Sequence, residues 1–143
     1  MSREIEFRVW NKKGNYFIDP EDNFLSLNGV LFENTEIFTF ALGELSKKDF
    51  IIEQFTGLKD KNGTKIFEGD ILTFPNDGYD PSEGESPVFL AGIRWDEKYL
   101  TWEIYDEDVG EIESLWEYLD ENNNVEGEVI GNIHENPELL EKE

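Results

Sequence analysis

The chain has 143 residues, 38% of them hydrophobic and 14% aromatic, which supplies enough apolar side chain for one buried core and excludes disorder for most of its length. Its 34 acidic against 12 basic side chains give a formal net charge of -22, which argues against direct binding to phosphate backbones. The cysteine count of 0 excludes disulfide staples, thiolate nucleophiles and thiolate-held zinc or iron, and fits a reducing cytosol.

Residues Arg3 to Trp10 alternate, with Ile5, Phe7 and Val9 on one face and Glu4, Glu6, Arg8 and Trp10 on the other, the pattern of a half-buried strand. Asn11 to Asn15 reads as a turn into Tyr16-Phe17-Ile18, which Asp19-Pro20 stops. Phe24 to Leu27, Asn28-Gly29 and Val30 to Glu33 predict a second hairpin, and Ile37 to Leu42 a further strand. Ser46-Lys47-Lys48-Asp49 can open one helical turn by N-capping before Phe50 to Thr56 returns to strand. Next, Asn62-Gly63 is a tight-turn pair tolerant of positive φ, and Glu68-Gly69-Asp70 punctuates the chain before the apolar run Ile71-Leu72-Thr73-Phe74.

Asn76 to Pro87, the body of an acidic loop over 75–87, is rich in Pro, Gly, Asp, Glu and Ser and has no apolar period, so it predicts a mobile tip. Val88 to Asp96 and Tyr99 to Tyr105 pair about Glu97-Lys98 and form the best candidate for the middle of a sheet. In Glu111 to Glu121, Ile112, Leu115, Trp116 and Leu119 stand at i, i+3, i+4 and i+7, which predicts a short amphipathic helix. Glu128 to Ile133 is the last strand, and Asn136-Pro137 fits the start of a short closing helix to Glu141. The core is expected to draw on Ile5, Phe7, Val9, Phe55, Leu58, Ile66, Ile71, Ile93, Trp95, Trp102, Ile104, Val129 and Ile133.

Three blocks, Arg3 to Lys13, Gln54 to Leu72 and Glu128 to Leu140, resemble in matching order the signature blocks of the YopX family of phage and prophage proteins. The resemblance implies a phage origin and a mainly β, small-barrel-like fold. It implies no activity and no catalytic residues. With the strand pattern it predicts a single small domain, 1–143, with a strongly bent sheet or SH3-like barrel, an N-terminal hairpin extension and one or two short C-terminal helices.

Candidate chemistry is sparse. Asp77, Asp80, Glu83 and Glu85 share one loop but lack the spacing of a calcium-binding EF-hand, and Asp60 and Asn62 fail that test because their glycine comes fourth. Single His134 leaves no histidine pair, and no nucleophile elbow, phosphate-cradling loop or dinucleotide fingerprint is present. The expectation is therefore no enzyme, no cofactor and no metal. Trp102, Tyr105, Trp116 and Tyr118 are surrounded by acids, which disfavours stacking on nucleic acid, while Trp10 and Tyr118 stand where they can anchor an interface.

From Thr101 to Glu143 there are 15 acidic residues and one basic residue, Lys142. The reading is a non-enzymatic accessory protein in the host cytoplasm, with no membrane segment and no direct nucleic-acid contact. It binds a host or phage protein, for which a basic nucleic-acid-binding protein is the electrostatic match. Glu111, Glu113, Glu117, Asp120, Glu121, Glu126 and Glu128 are the partner-binding candidates, a DNA-like array of carboxylates. The alternative is a homo-oligomeric structural module whose acidity serves solubility.

Overall fold

The structure, a computed structural model, describes residues 4–19, 23–25, 30–34, 39–44, 49–106 and 110–141, with side chains for 4–19, 49–106 and 113–141. The fold is mainly β, and its helical pieces among the described residues are single 3-10 turns. The chain divides into two compact units, Phe7–Glu53, and Met1–Glu6 with Gln54–Glu143.

In the first unit, β1 (Phe7–Asn11) and β2 (Tyr16–Phe17) form the expected N-terminal hairpin, with Trp10 opposite Phe17. The Asn11 side chain closes the turn by accepting from the Lys13 and Gly14 amides, and Asn15 supplies the positive φ. Three further strands, β3 (Asn23–Leu25), β4 (Val30–Asn34) and β5 (Thr39–Glu44), pair antiparallel, with Phe24 opposite Phe32 as the hairpin reading requires. The Asn28-Gly29 turn and the Ser46 to Lys48 part of the expected helical turn lie outside the described residues. Arg8 donates to the buried Glu53 carboxylate at 3.0 Å, with its guanidinium 4.5 Å from the Phe17 ring centroid.

The expected facing of the first strand needs correction. Ile5 is 65% exposed and Phe7 46% exposed, whereas Val9 and Trp10 are both buried. Trp10 packs edge-on against Phe17 at 4.8 Å, so its ring is spent within the hairpin and is not an interface anchor. Val9 on the expected face and Trp10 on the opposite one are covered together, so the difference runs along the strand and depends on neighbours that local alternation does not reveal.

β6 (Phe50–Lys59) carries the chain into the second unit, where it pairs with β7 (Lys65–Phe67). Its register shifts between Phe55 and Lys59, and Gly57 takes φ +89 there. The Thr56 hydroxyl repairs the ladder by donating to the Ile66 carbonyl at 2.8 Å and accepting from the Leu58 amide at 3.1 Å. Gly63 and Gly69 have φ of +83 and +87, as the central turns demand.

Then β8 (Asp70–Pro75), β9 (Val88–Asp96), β10 (Thr101–Asp106), β11 (Gly110–Ser114) and β12 (Glu128–Asn132) build a five-stranded antiparallel sheet in the order β11-β10-β9-β8-β12. The sheet is strongly curled into a half-barrel, the bent-sheet form of the expectation. The hairpin about Glu97-Lys98 lies at its middle as expected, with Trp95 opposite Trp102. Its inner face gathers Leu72, Phe74, Ala91, Ile93 and Ile104, joined by Ile66, Leu115 and Val125. Each of these side chains except that of Ala91 contributes roughly 1.5–3 kcal/mol of transfer free energy. Trp95 remains exposed at the end of its strand, and Leu58, Trp102, Val129 and Ile133 are only half-buried.

The amphipathic helix expected over Glu111 to Glu121 is absent. Residues Gly110–Ser114 extend the sheet as β11, and a 3-10 turn, Leu115–Tyr118, follows. Of the proposed apolar stripe, Leu115 is buried and Trp116 points to solvent at 66% exposure. Tyr118, the other proposed interface anchor, is half-buried against Phe74 and Phe89. The closing helix is a single 3-10 turn, Pro137–Leu139. Asn136 precedes it but accepts from the Asn132 amide instead of capping the turn.

The loop after β8 is tied at its base, because Asn76 donates from backbone and side chain to Pro87 and Ser86 carbonyls. Within it Asp80 caps a 3-10 turn, Pro81–Glu83, by accepting from the Ser82 amide and hydroxyl.

Candidate functional site

On the outer face of the curled sheet, β10 turns Glu103 toward Arg94 of β9, directly opposite it. Glu103 is only 4% exposed; its Oε1 accepts from Arg94, whose guanidinium also lies 4.6 Å from the Tyr105 ring centroid. The other carboxylate oxygen, Oε2, is covered and meets no hydrogen-bond donor among the described residues. A buried acceptor without a donor carries a desolvation cost of about 1–3 kcal/mol, so its retention calls for an explanation.

Glu103 lines an open groove of about 590 Å3, together with Tyr99, Leu100, Thr101, Glu113, Ser114, Trp116 and Glu117. Two local features raise its walls. The 97–100 turn is set by Asp96, which accepts from the Lys98 amide, and it ends on Leu100 at φ +52, a conformation unfavourable for a side chain of that bulk. On the other side the 115–118 turn anchors through Leu115 and so presents Trp116 and Glu117 outward. Aromatic faces and carboxylates around one opening favour a cation. Burial, and then the hydrogen bond to Glu113, push the Tyr118 hydroxyl well above the usual phenol range, so it stays a donor holding that carboxylate.

The acids singled out from the sequence are not equivalent. Glu113 and Glu117 border the groove, and Glu121 and Glu126 are exposed beyond it. Asp120 is half-buried, with Oδ1 accepting from the Asn122 and Asn124 amides, so it shapes a turn. Glu128 accepts from Asn62 and lies 3.9 Å from Lys61. Glu111 pairs by its backbone with Tyr105, and its side chain lies outside the described residues.

Other buried acids have structural duties. Asp60 is 1% exposed and accepts three backbone amides, those of Asn62, Thr64 and Val129, each at 2.9 Å. Asp70 receives the Phe67 amide at 2.8 Å. Asp77, Asp80, Glu83 and Glu85 are all exposed, and among the described residues no group of three or more His, Cys, Asp or Glu is placed to hold a metal ion. His134 follows β12, where its amide donates to Asn132. A smaller concavity of about 340 Å3 is lined by Gln54, Glu68, Trp95 and Trp102. Among the described residues no helix is long and apolar enough to cross a membrane.

Sequence reasoning passed over Glu103, Tyr99 and Leu100, and it assigned Trp116 to an inward helical stripe. One local signal was available: Glu103 sits between Trp102 and Ile104, an acid on the alternate face of an apolar strand.

The family model described as YopX protein matches residues 6–141. Among solved structures, the chain is similar to the crystal structure of protein EF1440 from Enterococcus faecalis, at 27% identity and a TM-score of 0.53, covering 98% of this chain and 100% of that one. It is also similar in fold to the X-ray crystal structure of protein yopX from Bacillus subtilis, at 18% identity and a TM-score of 0.60, covering 94% of this chain and 97% of that one. No match was found among curated proteins.

Proposed function

The chain belongs to the YopX family, and on that premise we propose that it is a non-enzymatic accessory protein that binds a basic partner protein through its acidic C-terminal surface. Four carboxylates carry this reading: Glu113, Glu117, Glu121 and Glu126 are exposed and form no ion pair among the described residues. Unpaired surface charge contributes little to stability and much to the rate and selectivity of encounter. Three of the four well-buried acids among the described residues support the non-enzymatic part, since Asp60, Glu53 and Asp70 are each engaged by backbone amides or arginine, and the fourth, Glu103, is engaged by Arg94 through one oxygen. The reading includes a phage origin and the reducing cytosol of the host cell, consistent with a cysteine count of 0.

The test is capture from host lysate at rising salt, comparing the chain with a variant carrying Gln at positions 113, 117, 121 and 126. A basic partner should be retained at 0.1 M salt and released toward 1 M, as the screening length falls from about 10 Å to about 3 Å. The variant should capture at least tenfold less while unfolding at an unchanged or higher temperature. DNA should compete for the retained partner. Retention indifferent to both salt and charge removal would refute the proposal.

A further inference from the structure

We propose that the groove between the 97–100 turn and the 115–118 turn takes the guanidinium of an arginine side chain presented by the partner protein, a specificity that rests on the accessory-binding reading above. The groove combines Trp116, exposed and without a ring or cation partner among the described residues, with the carboxylates of Glu113 and Glu117 and the half-engaged Glu103 beneath. The chain's own arginines show which ligand such a set suits. Arg8 is held between the Glu53 carboxylate and the Phe17 ring, and Arg94 between Glu103 and the Tyr105 ring. In both, a guanidinium donates to a buried carboxylate while its carbon stands over an aromatic ring; the Lys65 ammonium, 5.4 Å from the Phe55 ring centroid, instead pairs with the exposed Glu4 and Glu6, so the buried carboxylate is what marks the guanidinium sites.

The groove offers a second ring, Trp116, and the remaining oxygen of the Glu103 carboxylate that Arg94 already engages. The Lys98 ammonium stands 4.9 Å from the Tyr99 ring centroid, so a second cation there meets a like charge, whereas Trp116 has no such neighbour over its ring among the described residues. Glu103 Oε2 is covered, so a guanidinium reaches it only if a lip side chain rotates. Leu100 lines the same groove and is exposed, so packing does not oppose its rotation.

The probe is the peptide acetyl-Gly-Arg-Gly-amide, titrated into the full chain while the Trp116 indole N–H is followed by NMR, with lysine and citrulline peptides as controls. The arginine peptide should shift that signal saturably, the lysine peptide should bind at least threefold more weakly, and the citrulline peptide should not bind. Trp116→Ala should weaken binding at least fivefold by a second readout, calorimetry. Glu113→Gln with Glu117→Gln should weaken it several-fold without disturbing the Arg94–Glu103 pair, and Lys98→Ala should strengthen it by removing a neighbouring like charge. No saturable shift, equal binding of citrulline, or indifference to Trp116→Ala would overturn the assignment. If the peptide fails while lysate capture stays salt-sensitive, the groove is wrong and the acidic surface stands. Peptide binding without any captured basic protein would overturn the partner protein as the source of the arginine.

Discussion

Asp60→Ala should be among the most damaging single substitutions outside the apolar core, because one side chain joins two distant parts of the sheet unit. Oδ1 accepts from the Asn62 and Thr64 amides and closes the Asn62-Gly63 turn, while Oδ2 accepts from the Val129 amide at the start of β12, 69 residues away. The first two amides belong to exposed residues, where water can replace the lost acceptor, so each contributes about 0.5–1 kcal/mol net. Val129 is half-buried, and leaving its amide without an acceptor costs about 1–3 kcal/mol. The expected loss is thus about 3 kcal/mol, read as a fall in the urea midpoint at unchanged slope using tryptophan fluorescence. For a domain of this size that corresponds to a drop of about 10 °C in Tm. Asp60→Asn should lose roughly half as much, since one oxygen can still serve the turn while the amide nitrogen cannot accept from Val129. A loss below about 1 kcal/mol for Asp60→Ala would refute the structural role assigned to this carboxylate.

Gly127→Ala places its new Cβ 2.1 Å from the Thr73 carbonyl oxygen, so the β8–β12 pairing must yield, and urea unfolding should show a loss above about 2 kcal/mol. Gly57→Ala meets nothing within 4 Å but sits at φ +89, so its cost should stay near about 1–2 kcal/mol. Leu100→Gly should leave stability unchanged or raise it by up to about 1 kcal/mol, because glycine adopts φ +52 without the steric cost. Burial raises the folded-state pKa of Tyr118 above the ordinary phenol value of about 10, so its contribution is complete below that pH and is lost as pH rises through the higher folded value. Stability measured from pH 9 to 11.5 should therefore fall more steeply in the native chain than in Tyr118→Phe.

Where a local pattern and the final environment coincide, the residues were readable. The Val88 to Asp96 and Tyr99 to Tyr105 pair is visible because an apolar run and an alternating run flank a turn, and the structure keeps Ile93 opposite Ile104. Glu111 to Glu121 misleads for a physical reason: Leu115, Trp116 and Leu119 fit a helical spacing over too few residues to separate it from a strand followed by a 3-10 turn. Asp60 was visible only as a turn residue, since its burial depends on β12. The groove was beyond local reading altogether, because it needs the 97–100 turn beside the 115–118 turn and a strand acid whose second oxygen has no donor.

Two uses of carboxylate therefore coexist in one chain, and salt separates them. Asp60 and Asp70 act through direct bonds to amides, which ions do not screen, whereas the net charge of -22 acts through long-range repulsion that ions do screen. Ion pairs such as Lys65 with Glu4 and Glu6 pull the other way, since salt weakens them, but both acids are well exposed and such pairs contribute little. Repulsion should win, so Tm should rise as NaCl goes from 0.05 to 0.5 M. The variant with Gln at 113, 117, 121 and 126 should begin at a higher Tm in low salt and rise by less. Scanning calorimetry of both proteins across that range decides the matter. A Tm that falls with salt would mean that surface ion pairs dominate. An identical salt response in the two proteins would mean that the exposed acids of the C-terminal surface are not where the repulsion acts, and their value as a steering surface would lose its electrostatic basis.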